Sequence, residues 1–497
     1  MPPSLENSRI WGIPIRTLVV ASITGIFLWN AGIRIAIVRQ HRVEAGGVEP
    51  NVIHGIQKLM LGQVLYTDPE QVPFDVIQYT PAYYLMCAGI GDLVGLKGDD
   101  ARSIILLSRS VALALWLLMG WFVYRACRSA NGAQWSSILA AGIAMCIAWE
   151  QSYSRMDALV AATSAATVLF FLKWCSTGRG SYLVLSSIVA VTGLFSKQSG
   201  IVMVVAPLLY LVITRQWHPL RTYLISVVCA TTAWLLITFQ LGTPLAFYQN
   251  TVLGLRNGLS REMYAVLFEP ATYKYFIGWH LLLVVLVVRG WRSGHRGLRF
   301  LAVASTFSLA FALITGAKSG SGLNYLHESL MLTFIGLSVL IAQDRSPRWR
   351  NVFAWAFAIY GGVLAAFRTN STLTVWRNGE PDSANVEFMH QEMDVRDVLR
   401  NDLGLAADEK IFIAYRGYLE LFFTGQSMLT QKDIVQNSTV GLFDYTRFHR
   451  VMSDGTVRFV ITDGPPVPVA YLDSTYVGWE PIRTVHGRTI LARSARP

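Results

Sequence analysis

The chain predicts an α-helical integral membrane bundle of about eleven spans, with external amphipathic juxtamembrane helices and a small C-terminal α/β domain. Three observations carry this reading. The first is composition: of 497 residues, 53% are hydrophobic and 15% charged, with mean hydropathy +0.40, where a soluble globular protein carries roughly 25% charged residues. The second is segmentation: apolar runs recur near 15–37, 103–126, 134–150, 157–174, 181–195, 199–214, 222–240, 276–289, 299–315, 328–342 and 352–368, close to the ~20 residues that a helix needs to cross the hydrocarbon core. The third is charge placement. Residues 1–369 hold 29 Lys and Arg against 15 Asp and Glu, whereas 370–497 hold 13 against 16. The overall charge of +11 therefore belongs to the membrane half, where cations set topology, and it argues against nucleic-acid binding.

The elements follow in order. Arg9 and Arg16 precede the first run without a small-residue cleavage site, so it reads as a signal anchor. A long first loop, 39–102, comes next. In it Val52, Ile53, Ile56, Leu59 and Met60 recur at helical spacing opposite His54, Gln57 and Lys58, which predicts an amphipathic helix lying on the membrane surface. The run 82–96 is short and contains Asp92, so a re-entrant or interfacial helix is expected, with Tyr83 and Tyr84 as interfacial anchors. With an internal N-terminus, one side receives Arg125, Arg128, Arg179, Arg215, Arg221, Arg289, Arg292, Arg296, Arg299, Arg345, Arg348 and Arg350. The other receives 39–102, 151–156, 196–198, 241–275, 316–327 and everything after 369. This is the positive-inside pattern, and an odd number of spans then puts the C-terminal region outside. The expected division is 1–373, a catalytic membrane domain, and 374–497, an extracytoplasmic domain with a charged helix at 386–403, strands at 410–415 and 457–462, and a final hairpin around 477–492.

Some chemistries are excluded. Cys87, Cys127, Cys146, Cys175 and Cys229 all lie in or beside apolar segments, which suits packing rather than a disulfide framework or a thiolate metal site. His327-Glu328 lacks the spacing of a zinc-binding His-Glu-x-x-His helix, and Gly316-Ala317-Lys318-Ser319-Gly320 lacks the Walker spacing of a phosphate loop. Neither a metal nor another cofactor is expected.

Five stretches remain, all on the external side: Gly46-Gly47-Val48-Glu49-Pro50-Asn51, Gln78-Tyr79-Thr80-Pro81, Ser154-Arg155-Met156-Asp157-Ala158-Leu159, Phe195-Ser196-Lys197-Gln198-Ser199, and Gly316 to Glu328. An acid just outside a membrane helix, such as Glu49, is costly near lipid and needs a reason; a cation on the external side, such as Lys197, goes against the topological rule and calls for a partner. The stretch 241–275 adds Arg256, Arg261 and Glu262 among Tyr248, Tyr264, Tyr273 and Tyr275, a mixture that serves sugar sites and membrane interfaces alike.

In this order the stretches resemble the GT-C membrane glycosyltransferases, the polyprenyl-phosphate-sugar-dependent enzymes that include the protein O-mannosyltransferases and the lipid A aminoarabinose transferases. The likeness covers roughly residues 15–345 and departs at two points: the usual paired Asp-Glu of the first loop is Val48-Glu49 here, and Met156 replaces Pro in the Arg-Pro-Asp-Ala-Leu element. The resemblance implies a donor that is a polyprenyl-phosphate sugar, hexosyl or pentosyl, whose sugar is transferred with inversion to a lipid, polysaccharide or protein acceptor at the extracytoplasmic face of a membrane, expected to be a bacterial inner membrane. It implies Glu49 as the catalytic base, with Glu44 as understudy, and Lys197, Lys318 and Arg155 as the groups that bind the donor phosphate. His54, Tyr79, Asp157, Asn324, Tyr325, His327 and Glu328 would contact sugar or acceptor. The partners would be membrane lipid, the donor and the acceptor, with no nucleic acid. Rival readings are a lipid-linked glycan flippase, a polymerase or ligase acting on a glycan diphosphate lipid, and a non-catalytic scaffold. A flippase needs charges along a mid-membrane path and often an inverted repeat; here most charges sit at span ends and no repeat is evident.

Overall fold

The computed structural model describes residues 9–10, 13–41, 48–148, 153–256, 258–269, 273–318, 322–344, 346–377, 382–415, 418–430, 441–463 and 478–493. Glu44 lies outside the described residues. The membrane region is a helical bundle: α1 (Ile15–Arg39), α2 (Val48–Met60), α3 (Ala82–Leu93), α4 (Ala101–Ser129), α5 (Gln134–Ile147), α6 (Asp157–Thr177), α7 (Gly180–Leu194), α8 (Ile201–Ile213), α9 (Trp217–Thr238), α10 (Pro244–Thr251), α11 (Arg261–Leu267), α12 (Ile277–Arg292), α13 (Arg296–Thr315), α14 (His327–Gln343) and α15 (Pro347–Arg377).

Each of the eleven apolar runs coincides with a helix, but among the described residues only seven helices are long and apolar enough to cross a membrane. These are α1, α4, α6, α9, α13, the stretch Leu323–Gln343 that ends in α14, and Pro347–Thr374 within α15. Length separates the rest: α5 has 14 residues, a rise of about 21 Å, against a hydrocarbon core of about 30 Å.

The bundle has a dry centre and a lipid-facing rim. The most apolar windows of α6 and of Leu323–Gln343 are each 83% buried, that of α9 only 11%. The run Ala161, Ala162, Ala165, Ala166 on α6 is buried, and small side chains of this kind let helices approach without a hydrophobic driving force between them. Against α6, Gly193 of α7 leaves no room for a side chain: an added Cβ would meet Thr163 Oγ1 at 2.6 Å. The two central helices are also the ones that open on Asp157 and on His327-Glu328, so the site described below rests on the most enclosed part of the molecule.

The C-terminal region forms a five-stranded mixed sheet with strands β1 (Lys410–Ile413), β2 (Ser427–Met428), β3 (Val457–Asp463), β4 (Trp479–Val485) and β5 (Arg488–Arg493), in the order β2-β1-β3-β5-β4. β1 runs parallel to β2 and β3, and β5 antiparallel to β3 and β4. Alternation along the strands supplies two cores. Phe412, Val460 and Leu491 pack with Phe448 and Met452 of α18 (Thr446–Asp454) on one face. Ile411, Ile413, Phe459, Ile461 and Ile490 pack on the other with Val395 of α16 (Asp382–Asp397) and with Leu399 just beyond it. A short helix, α17 (Leu419–Phe422), completes the region.

This region sits directly on the first loop. Phe74 is fully buried in its core, with its ring 5.3 Å from that of Phe448, and Leu429 N–H donates to Pro73 O. Two expectations are corrected here. α2 does not lie on a membrane surface with its polar face in water: Val52, Ile53 and Ile56 are buried and so are His54, Gln57 and Lys58, because Gln57 bonds the C-terminal region on both of its amide atoms, donating to Leu421 O and accepting from Thr424. Nor are Tyr83 and Tyr84 interfacial anchors. Both are fully buried, and their hydroxyls donate to Ser108 O and Asn51 Oδ1 inside the fold.

Candidate active site

All the loops assigned to one side by charge meet at one end of the bundle. Tyr66 N–H donates to Leu241 O, Ala82 N–H to Phe195 O, and Ser260 N–H to Ala317 O. Gln198 clamps two loops at once, its amide donating to Gln78 O at 2.9 Å and Thr251 O at 3.0 Å, while Thr80 Oγ1 donates to Leu194 O. The Gln78–Pro81 turn is thereby seated on the Phe195–Ser199 element.

Beneath this seat lies a narrow polar recess lined by Asp157, Lys197, Ser199, Asn324, Tyr325 and Glu328, among others. Its hub is Asp157, in the first turn of α6, where the helix dipole favours a negative charge. Asp157 Oδ1 accepts from Lys197 Nζ at 2.8 Å and from Asn324 Nδ2 at 3.1 Å. The ammonium also lies 5.7 Å from the Tyr79 ring centroid and 5.8 Å from that of Tyr325, within cation–π reach. Burial opposes the charge on Lys197, but the Asp157 carboxylate outweighs it and raises the ammonium's pKa. Arg155 is near enough to act electrostatically on both Tyr79 and Asp157. Lys318, half-buried in the loop after α13, is pushed down to about 8 by burial and then by the charge of Lys197. Lys197, paired with Asp157, and Lys318, which feels the charge of Lys197, are two mutually repelling cations between which a further anion would be stabilised.

Glu49 occupies a neighbouring, closed position. It is fully buried in the first turn of α2, and Arg109 of α4 grips it in fork geometry, Nε to Oε1 at 2.8 Å and Nη2 to Oε2 at 2.7 Å. Oε1 also accepts from Ser154 N–H at 2.9 Å, the residue before Arg155. Arg109 Nη1 further donates to Ile37 O and Gln40 O, tying the end of α1 to this carboxylate. Arg109 escaped the sequence reading, although the signal existed: an arginine inside an apolar span must find a partner.

Thus Asp157, Lys197, Asn324, Tyr325 and Glu328 line the recess, Tyr79, Arg155 and Lys318 lie within electrostatic reach of Lys197 or Asp157, and Glu49 sits behind the Ser154-Arg155 turn. Two residues lie elsewhere. His54 faces the C-terminal region, its Nε2 3.0 Å from Asp75 Oδ2. His327 turns into the bundle, its Nε2 3.3 Å from Ala144 O, because adjacent positions on a helix point about 100° apart. The described residues contain no group of three or more His, Cys, Asp or Glu able to hold a metal.

The fold is a helical bundle in which, among the described residues, seven helices are long and apolar enough to cross a membrane. In sequence, residues 93–241 match the family model of dolichyl-phosphate-mannose-protein mannosyltransferase. In structure, the chain is similar to ArnT from Cupriavidus metallidurans bound to undecaprenyl phosphate, with TM-score 0.58 and 12% identity over 96% of this chain and 98% of the other. It is also similar to the archaeal oligosaccharyltransferase AglB from Archaeoglobus fulgidus in complex with an inhibitory peptide and a dolichol-phosphate, with TM-score 0.56 and 11% identity over 95% and 74%. No curated protein matches the sequence significantly. The resemblance to polyprenyl-phosphate-dependent GT-C glycosyltransferases thus holds in a sequence segment and, as a fold, over nearly the whole chain.

Proposed function

We propose that this protein is a glycosyltransferase that moves a hexosyl or pentosyl group from a polyprenyl-phosphate donor to an acceptor on the extracytoplasmic face of a bacterial inner membrane, with inversion. The observation that supports the reading is the convergence on one recess of three separate sequence elements, where Lys197 and Asn324 meet Asp157 and Lys318 lies within electrostatic reach of Lys197. In the reaction, the acceptor hydroxyl gives its proton to a carboxylate, its oxygen bonds to the anomeric carbon, and the bond from that carbon to the phosphate oxygen breaks. The phosphate leaves with the electron pair and one more negative charge, which Lys197, Lys318 and Arg155 offset.

Glu49 is the proposed base, oriented by Arg109. A second reading assigns the proton to Glu328, because Glu328 lines the recess whereas both oxygens of Glu49 are engaged. The test is transfer by the purified protein from a panel of polyprenyl-phosphate sugars. Glu49→Gln is expected to retain donor binding and to lose transfer by ~10²–10⁴-fold. Retained transfer in Glu49→Gln with loss in Glu328→Gln moves the base to Glu328. A protein that neither binds nor uses any donor of the panel overturns the function.

A further inference from the structure

A second cavity, which shares no lining residue with the recess, lies between the first loop and the C-terminal region, with a volume of about 410 Å³. Gln63 and Asp99 line it from the membrane region, and Arg400, Lys410, Thr424 and Gln426 from the C-terminal region. This is within the size range of ligand sites and far beyond room for a single water. We propose that the cleft binds an anionic saccharide, the non-reacting part of an extended acceptor. The inference rests on the glycosyltransferase reading for the word acceptor, but its binding claim stands on the cleft alone.

The lining fits that chemistry. Six of its eleven residues are polar or charged, and amide, hydroxyl and ammonium groups suit ring hydroxyls. Two cations face one acid, so an anionic ligand is favoured. The cations are held in place: Arg400 Nη2 donates to Phe422 O at 3.1 Å with its guanidinium 5.1 Å from the Phe423 ring centroid, and Lys410 Nζ donates to Gly425 O. Cations positioned before binding lose little freedom when a carboxylate arrives. The apolar lining includes exposed Leu61, half-buried Phe422 and buried Leu421, surfaces that suit the face of a sugar ring.

Both walls of the cleft are tied to one residue of α2. Gln57 donates to Gly98 O, next to Asp99, and to Leu421 O, while Thr424 Oγ1 donates to Gln57 Oε1 at 2.9 Å. Gln57 stands eight residues along α2 from Glu49, about 12 Å at helical rise. A ligand in the cleft therefore braces, through Gln57, the helix that bears Glu49. Binding of remote substrate parts that positions the reacting end is an established way of using binding free energy.

The experiment is calorimetric titration of the full-length protein in lipid nanodiscs, without donor, using hexagalacturonate, the matching neutral hexasaccharide, and an acidic hexapeptide of equal charge. Hexagalacturonate is expected to bind, with the neutral oligosaccharide and the peptide each about tenfold or more weaker. Ala407→Trp, which fills the cleft from an exposed position, and Arg400→Ala are each expected to weaken hexagalacturonate about tenfold while leaving polyprenyl-phosphate binding unchanged, which also reports that the variants are folded. Absence of saccharide binding, equal binding in Ala407→Trp, or preference for the peptide would overturn the proposal. Saccharide binding without any transfer activity would leave the cleft assignment intact and refute only the transferase reading.

Discussion

Lys197 and Lys318 show how a lysine's neighbours decide its use. Lys197 is committed to Asp157, and its pKa is raised by that carboxylate against the effect of burial. Lys318 has the opposite balance: burial and the charge of Lys197 hold it near 8. A phosphate bound between them would favour the protonated form of Lys318, so binding is coupled to a proton. The sign follows directly: the binding-competent ammonium is present below about 8 and lost as pH rises through it. Affinity for undecaprenyl phosphate is therefore expected to fall as pH rises from 7 to 9. Calorimetry at pH 8 in buffers of different ionisation enthalpy should detect uptake of about half a proton. The same titration separates the two lysines from ordinary headgroup contacts. Lys197→Ala and Lys318→Ala are each expected to cost roughly 1–3 kcal/mol of donor binding, whereas Lys274→Ala should change it little, because Lys274 is exposed, with its ammonium over the Tyr275 ring. Equal losses in all three variants would remove both lysines from the phosphate site.

At the scale of elements, α2 is the piece whose environment differs most from its pattern. Its apolar stripe and polar face read as a helix at a lipid surface, and the moment is real, but a second layer covers the polar face. Asp75 holds that layer. Its Oδ2 accepts from His54 Nε2 at 3.0 Å and Lys58 Nζ at 3.5 Å, and its Oδ1 from Thr430 Oγ1 at 3.1 Å, so loop, helix and C-terminal region share one carboxylate. Burial works against the ionised form, but the charges of His54 and Lys58 and the hydrogen bonds from His54 and Thr430 hold Asp75 down to about 2, from an ordinary 3.8. A depressed carboxylate contributes stability above its unfolded pKa and loses it as pH falls through the folded one, here between about 4 and 2. That contribution is on the order of 2 kcal/mol. Asp75→Asn is accordingly expected to speed hydrogen exchange of the α2 amides at pH 7 while leaving α6 unchanged. The difference from the unmodified protein should shrink as unfolding is measured towards pH 2. Equal protection of α2 in both proteins at pH 7 would refute the clamp.

For the whole molecule, the recess, the cleft and the C-terminal region lie at the same end of the bundle, and the loops at that end bond to one another. At the opposite end the basic loops make their own contacts, such as Arg128 Nη1 with Gly132 O and Arg289 with Asp344. The segregation of loops by charge in the sequence thus corresponds to a segregation in space, and we propose from the positive-inside tendency that the Arg-rich end faces the cytoplasm. Single cysteines placed at exposed Asp408 or Asp454 are expected to react with an impermeant maleimide in intact cells. Reaction only after permeabilisation would invert the arrangement, and with it the side on which the acceptor is sought.

What the sequence determined alone was everything governed by local period and by solvent. Apolar runs became helices where they were expected, the alternation of Ile411, Phe412 and Ile413 became a strand with two covered faces, and Glu49 and Lys197 were marked as charges in need of a reason or a partner. The identity of those partners was decided only by tertiary structure. Arg109 meets Glu49 across 60 positions of chain, Asn324 meets Asp157 across 167, and Leu421 meets Gln57 across 364. No periodicity reports such distances, because the pairings follow from how helices cross and which loops they bring together. The parting of His327 and Glu328 is the same lesson at short range: the sequence names both residues, but only the packing of α14 against its neighbours decides that one faces the bundle interior and the other the recess.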